Sequence, residues 1–555
     1  MSNPEPPATL SAALLATVEE ASETLALVSD TERLTYAQLA ADARALAAGL
    51  IALGVAPGDR VAIWQPNSAD WLVAHWAATL AGAILAPLNT RYKPAEARYI
   101  LADSGAAALV MRDHFLQTDY VAALREILAS DLPELRAVIV RQTERQTERQ
   151  TEPATEPATK PGPLPALAMS WDEAVRRGAG VTPERLVAAA ADVAPDDTHL
   201  LQYTSGSTGH PKGAMLTHRG LMQSAMYNYN AWGFQPGEAA LIPGPLSHII
   251  GIVYGCVMPV IGRVVPVTAP VFDPERALAL IQQYRPVMMI GAPTHFYMLA
   301  EHPNLAAYDL SSLRVGMAGG AASSPETVRH VTERLGLRAL VNGLGMSEAG
   351  SIAHTDPADP PEVHATTSGH PMPWLETRIV DPLTGADQPE GESGELWVRG
   401  PGVMKGYFRD PEATAAALTA DGWLRTGDLL RWGPDGRLRF VGRLKDMFTV
   451  GGFNVYPIEV EGVLAQHPAV VECQVVGVPD ARLGDAPFAF VRLQPGAQAS
   501  VDDLIAYCAT HLANYKTPRH AHILAAFPML ASGKRDRVAL LDLARRLAAG
   551  DGDGG

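Results

Sequence analysis

At 555 residues the chain is too long for one compact core and is expected to divide into two or more domains. A formal charge of −16 excludes a general nucleic-acid binder, which needs clustered Lys and Arg. Although 47% of residues are apolar, no uncharged apolar run reaches the ~18 residues of a membrane span. The three cysteines, Cys256, Cys473 and Cys508, are far apart and form no CxxC, so neither a disulfide framework nor a zinc site is expected. Residues 1–9 lack the basic start and apolar run of a secretory signal, and a cytoplasmic location is the expectation.

In chain order, apolar residues recur at helical spacing over 34–50, opened by Thr35 with Gln38 three residues on, a capping-box pattern. Residues 58–64 read as a turn entering a buried strand and 69–83 as a helix, with further strands near 107–111, 136–140 and 287–291. This βα alternation predicts an α/β fold: a largely parallel sheet with covering helices. Between 141 and 160, Arg-Gln-Thr-Glu repeats give way to Pro-Ala-Thr-Glu-Pro-Ala-Thr-Lys. A four-residue repeat without apolar residues cannot bury a face, so it is expected to be a mobile surface loop without catalytic work.

Residues 203–213 read Tyr-Thr-Ser-Gly-Ser-Thr-Gly-His-Pro-Lys-Gly. Glycines that admit backbone N–H groups, the hydroxyls of Thr204, Ser205, Ser207 and Thr208, and the Lys212 ammonium together suit phosphate. The Walker P-loop is the competing pattern, and it fails twice. Counted from Gly206, its second glycine falls on Pro211 and its hydroxyl on Gly213. A buried strand over 197–203 precedes the loop, and Thr217 is a predicted N-cap for a helix from His218. Later, strand-like 394–399 and a hairpin over 435–443 lead to Leu444-Lys445-Asp446, after which a βα pattern resumes from Gly451. Domains of 1–444 and 445–555 are therefore expected.

Seven separated motifs complete the pattern: 203–213, Leu-Gly-Met-Ser-Glu at 344–348, Gly-Glu-Leu at 394–396, Trp-Leu-Arg-Thr-Gly-Asp at 423–428, Gly-Arg-Leu-Lys-Asp at 442–446, Gly-Phe-Asn-Val-Tyr-Pro at 452–457 and Ser-Gly-Lys at 532–534. In this order, the chain resembles the adenylate-forming superfamily of acyl-CoA synthetases, peptide-synthetase adenylation domains and luciferases, from about Thr35 to Asp536. The resemblance implies a large N-terminal α/β domain and a small mobile C-terminal α+β domain. It also implies an acid–thiol ligase: a carboxylate attacks the α-phosphorus of ATP, pyrophosphate leaves, and CoA takes the acyl group.

By the same resemblance, Thr204, Ser205, Gly206, Ser207, Thr208, Gly209 and Lys212 hold the β- and γ-phosphates, Ser347 bonds the α-phosphate, and Glu348 carries Mg²⁺. Gly320, Ala321, Ala322, Asn342, Gly343, Leu344, Gly345 and Met346 surround the base. Leu344 stands where most relatives stack an aromatic ring. Asp428 accepts from the ribose hydroxyls, Arg443 reinforces the ribose and phosphate contacts, and Lys534 bridges carboxylate and α-phosphate. Lys445 is the hinge about which the C-terminal domain rotates to bring Gly451, Gly452 and Phe453 to the CoA thiol. His248, in Pro-Leu-Ser-His at 245–248, lines the carboxylate pocket, and Ile249, Ile250, Gly251, Val253, Thr294, Gly319, Leu344 and Met346 form the acyl wall. His210 takes no catalytic part. No Asp stands where it would grip an amino group, so a hydrophobic monocarboxylic acid is the expected substrate. Two other readings are an enzyme delivering its acyl-AMP to a carrier protein and an inert nucleotide-binding paralogue. If the chain assembles, a homodimer is the expected form.

Overall fold

The computed structural model describes residues 7–142, 163–205, 210–319, 325–480, 482–494, 496–529 and 535–548. The expectations placed on 143–160, 206–209, 320–322 and 534 therefore lie outside the described residues. Two compact units are present: Met1–His364 with Met372–Leu375 and Arg399–Gly422, and Ala365–Pro371 with Glu376–Val398 and Trp423–Gly555. Among the described residues no helix is long and apolar enough to cross a membrane, and all three cysteines are buried free thiols.

The first unit is built on two sheets. One runs Gly350–His354, Ala339–Met346, Val315–Gly319, Met288–Gly291, Ala239–Leu241, Val265–Val267, Leu25–Val28, Arg33–Thr35. The other runs Pro211–Thr217, Thr198–Ser205, Ile84–Pro87, Arg60–Trp64, Ala106–Arg112, Ala137–Arg141, Ala168–Ser170. Interior pairings are parallel, as the βα alternation predicts; Pro211–Thr217, Gly350–His354 and Arg33–Thr35 are antiparallel to their neighbours, and Ala168–Ser170 ends the second sheet in parallel. Helices start where the sequence supplies caps. Thr35 and Gln38 form the expected capping box for Tyr36–Ala52, and Ser68 caps Ala69–Leu80. Under the second sheet Trp64 stacks on Tyr120, with centroids 4.4 Å apart. Such fully buried aromatics dominate the packing energy of a core.

Residues 211–217 differ from expectation. They form a strand antiparallel to Thr198–Ser205, with Thr204 opposite Lys212 and Ser205 opposite Pro211. The Gly and Lys of this segment obscure its pattern, yet Gly213 is a packing requirement, since a Cβ there would come within 3.1 Å of the Tyr203 ring. The phosphate motif thus joins two strands, whereas a P-loop joins a strand to a helix. The helix His218–Ala231 follows only after the second strand, capped by Thr217 as expected.

Three imidazoles are buried beneath the strand Thr198–Ser205. His75 and His199 lie 5.4 Å apart and His199 and His218 lie 4.6 Å apart between ring centroids. Among the described residues neither ring nitrogen of His75 or His199 has a hydrogen-bond partner, while His218 Nδ1 accepts from Leu10 N–H. Burial pushes His75 down to about 3 and His218 to about 4, and holds His199 well below its ordinary value. All three are neutral in the fold at pH 7. Stability is therefore fully present above about 6.5, the unfolded value, and falls as pH drops below it, by about 1.4 kcal/mol per pH unit per histidine. The urea midpoint of the N-terminal unit is expected to fall clearly between pH 7.5 and pH 5, and His75→Phe should flatten that slope. An identical slope in the variant would refute this assignment.

The second unit holds two further sheets. Glu376–Val380, Gly394–Arg399, Leu424–Trp432 and Leu438–Arg443 follow one another in the first. The turn Leu444–Asp446 then leads to Phe453–Val455, Phe448–Val450, Gly484–Leu493 and Val470–Asp480, in sheet order, with His520–Ile523 also paired to Gly484–Leu493. The helix Pro457–Leu464 covers this sheet through Val460 and Leu464, and the helix Arg537–Ala548 buries Leu540 and Ala544 against Val476, Val478 and Phe488.

Candidate active site

The hairpin that carries the phosphate motif also recruits a distant segment. Ala214 pairs with Tyr407, Met215 N–H donates to Gly406 O at 3.0 Å, and Phe408 N–H donates to Gly213 O at 2.8 Å. This pairing sets the Tyr407 ring under Lys212, whose Nζ lies 5.6 Å from the ring centroid, a cation–π arrangement. From there the Tyr407 hydroxyl donates to Glu348 Oε1 at 2.9 Å, and Thr204 Oγ1 donates to the same oxygen at 3.4 Å. The main chain of Glu348 is held by Met404 N–H at 2.7 Å.

Two side chains some two hundred positions apart, Thr204 and Tyr407, thus meet at one carboxylate, only 8% exposed. The Tyr407 hydroxyl is raised above its ordinary range, chiefly by burial and then by the Glu348 charge. It therefore stays protonated and serves as a donor. Both bonds fall on Oε1, so Oε2 keeps its acceptor capacity. Thr204, Lys212 and Glu348 were marked in the sequence; Tyr407 was not. Its only signal is the Gly-Tyr of 406–407, uninformative until the pairing with 214 is seen.

The expected acyl wall is partly assembled. His248 is half-buried at the start of a helical stretch, where its carbonyl accepts from Ile252 N–H at 2.9 Å. Its Nδ1 accepts from Ile250 N–H at 3.4 Å, which leaves the proton of the neutral ring on Nε2. The following turn, Gly251–Val257, is a π-helix, a form often found at functional sites. Gly251 is obligatory there, because a Cβ would lie 2.3 Å from Pro245 O.

Ile249 and Val253 are buried, while Ile250 is half-buried and reaches within 3.9 Å of where a Cβ on Gly319 would stand. Gly319 pairs with Gly343 on the neighbouring strand. The thioether sulfur of Met317 lies 3.4 and 3.1 Å from the Cβ positions of those two glycines. Met317 was missed, although it precedes Gly319 by two residues on one strand and so shares its face. Leu344, Met346 and Ser347 are half-buried, Gly345 is exposed, and Thr294 is exposed near the start of Pro293–Ala300. Asn342 is fixed through its main chain, which exchanges two bonds with Thr355.

In the second unit Asp428 and Arg443, each expected beside the nucleotide, pair with each other. They face each other on adjacent strands, with Arg443 Nε 3.1 Å from Asp428 Oδ1. Asp428 is only 5% exposed, and its N–H donates to Thr426 Oγ1. Glu395 braces this turn by accepting from Gly427 N–H and from the Trp397 indole. Lys445 is exposed in the turn Leu444–Asp446, while neighbouring Asp446 is tied to Arg537 at 3.3 Å. Gly451 and Gly452, at φ 58° and 85°, make the two-residue turn between Phe448–Val450 and Phe453–Val455. Positive φ at both positions is why glycines stand there. Phe453 is 59% exposed and stacks on Tyr515 at 4.8 Å.

Comparison with known proteins agrees with this architecture. Residues 14–408 match the AMP-binding enzyme family and 459–534 match the AMP-binding enzyme C-terminal domain. The chain belongs to that family. It is 38% identical over 537 residues to a Mycobacterium tuberculosis propanoyl:CoA ligase whose acid carries a 7a-methyl-1,5-dioxo-octahydro-1H-inden-4-yl group, covering 96% of this chain and 99% of the relative. It is 32% identical over 551 residues to the mitochondrial medium-chain acyl-CoA ligase of Danio rerio, covering 96% and 88%. Among solved structures, the anthranilate CoA ligase AuaEII in complex with anthranoyl-AMP superposes with a TM-score of 0.84 at 26% identity, covering 98% of this chain and 99% of that one. The chain is an AMP-forming acid–CoA ligase that uses ATP, CoA and a carboxylic acid.

Proposed function

We propose that the acid is a hydrophobic monocarboxylic acid of alicyclic, fatty or aryl type, activated in the first unit beside Glu348. The observation that carries this reading is the continuity of one strand. Ala339–Met346 presents Gly343 to Met317 and leads within two residues of its end to Glu348, which Thr204 and Tyr407 hold. An apolar floor beside a buried carboxylate and a phosphate-binding hairpin suits an acid with a bulky carbon skeleton. The bicyclic and medium-chain acids named for the relatives support the same class.

In this mechanism the residues around 204–212 hold the β- and γ-phosphates, Lys212 being steered by the Tyr407 ring. His248 Nε2–H orients the substrate carboxylate, Ser347 bonds the α-phosphate, and Asp428 accepts from the ribose hydroxyls with Arg443 reinforcing it. One carboxylate oxygen attacks the α-phosphorus; the bond to the bridging oxygen breaks and pyrophosphate departs. Both reactants are anions, so Lys534 between them lowers the repulsion as charge spreads over the phosphoryl oxygens. A single buried glutamate with one free oxygen fits Mg²⁺, which takes one or two protein carboxylates at nucleotide sites. When bound, that ion would neutralise phosphate charge, with Glu348 as its holder. Rotation about Lys445 then replaces Lys534 by the 451–453 turn, and the CoA sulfur attacks the acyl carbon, releasing AMP and the thiol proton. The boundary at 444/445 belongs to this proposal.

CoA-dependent AMP release across a panel of fatty, alicyclic and aryl acids tests the reading. Turnover concentrated on medium-length and alicyclic members is expected, whereas no turnover with any acid would overturn it.

A further inference from the structure

The hairpin that carries the phosphate motif is tied, on both of its legs, to the helix Pro94–Ser104. Tyr99 and Asp103 stand four positions apart on that helix and so share one face. Toward the outgoing strand, Asp103 Oδ2 accepts from the Tyr203 hydroxyl at 2.7 Å. Toward the return strand, the half-buried Tyr99 ring stacks on the exposed His210 imidazole, with centroids 5.0 Å apart and planes 19° from parallel. Ser205 pairs with Pro211. Tyr203 comes two residues before Ser205 and His210 one residue before Pro211, so one anchor falls on each leg, close to that pair.

The helix is itself fixed. It buries Ala97, Ile100, Leu101 and Ser104, and the carbonyls of Ser104 and Gly105 accept from the Arg60 guanidinium at 2.6 and 2.7 Å. The Asp103 carbonyl accepts from Arg409 Nη1 at 3.4 Å, two residues beyond Tyr407. One helix end thus grips both the hairpin and the segment that brings Tyr407 to Glu348. Such bracing matters for this motif in particular. With glycines at 206, 209 and 213 its backbone has much freedom to lose, and ordering it only when phosphate arrives would cost affinity.

We propose that Tyr99 is a positioning residue for the first half-reaction: through His210 it holds the return leg of the hairpin ready for the β- and γ-phosphates, as Asp103 holds the outgoing leg through Tyr203. This rests on the reading that 204–212 binds those phosphates. The stack then favours ATP and pyrophosphate and is idle toward AMP, which lacks both groups.

Titrations of the full chain with ATP and with AMP test it. Tyr99→Leu should weaken ATP by about two- to tenfold, the worth of one aromatic contact, and leave AMP unchanged. The KM for ATP should rise by the same factor, with kcat at saturating ATP within about twofold of native. Tyr99→Phe keeps the ring and should restore native affinity. His210→Ala, at an exposed position, removes the stack from its surface side and should show the same selective loss even if Tyr99→Leu fails to fold. The double variant should lose no more than either single one. Equal losses for ATP and AMP, a Phe variant as weak as the Leu variant, or additive losses in the double variant would overturn the inference. Lys212→Ala separates it from the reading beneath: if that variant weakens ATP while Tyr99→Leu and His210→Ala do not, only the inference falls. Native ATP affinity in Lys212→Ala would overturn both.

Discussion

Replacing Lys534 by alanine should lower carboxylate-dependent ATP–pyrophosphate exchange by about 10²–10³-fold, the range seen when one donor to a developing charge is removed. Thioester formation from supplied acyl-adenylate and CoA should remain within a few-fold of native. The asymmetry follows from the proposed rotation about Lys445: this lysine is placed against the α-phosphate only in the first half-reaction. Measuring both half-reactions on one preparation checks it. Equal losses in the two would mean that Lys534 does not leave between steps, and the hinge at exposed Lys445 would lose its basis.

The second large effect concerns Glu348. Glu348→Gln keeps the size of the side chain and removes its charge; adenylate formation should fall by about 10²–10³-fold. Binding of ATP measured by titration at rising Mg²⁺ should weaken in parallel, a readout independent of turnover. Tyr407→Phe removes only the donor to Oε1, a bond to a charged group worth about 1.5–3 kcal/mol, so a loss of about 10- to 100-fold is expected. If Glu348→Gln exchanged pyrophosphate at the native rate, the carboxylate would be a structural anchor for the 404–407 segment and nothing more.

Local rules made much of the fold legible. The Thr35–Gln38 box, the Thr217 cap and the buried strands of the second sheet each depend on residues a few positions apart, and each stands where its pattern puts it. The pairing of Asp428 with Arg443 joins two motifs that the sequence marks separately. What escaped reading depends on distant neighbours. The strand Pro211–Thr217 is a strand because Thr198–Ser205 and residues 405–408 flank it, not because of its own propensity. Tyr407 matters through a carboxylate oxygen almost sixty residues away, and Met317 through a glycine on its own strand and another on the neighbouring one.

The route of the chain carries one more consequence. It leaves the first unit, builds Glu376–Val398 into the second, comes back for Arg399–Gly422, and departs again. Tyr407 is on that return leg. A ribosome that has released everything through Glu348 has still not supplied the hydroxyl that holds it, and about thirty residues of the other unit intervene first. During synthesis the phosphate hairpin must wait with its outer edge unpaired, a template open to other strands. Truncations ending before residue 399 inherit that open edge permanently, and aggregation rather than a smaller working enzyme is what such fragments should yield.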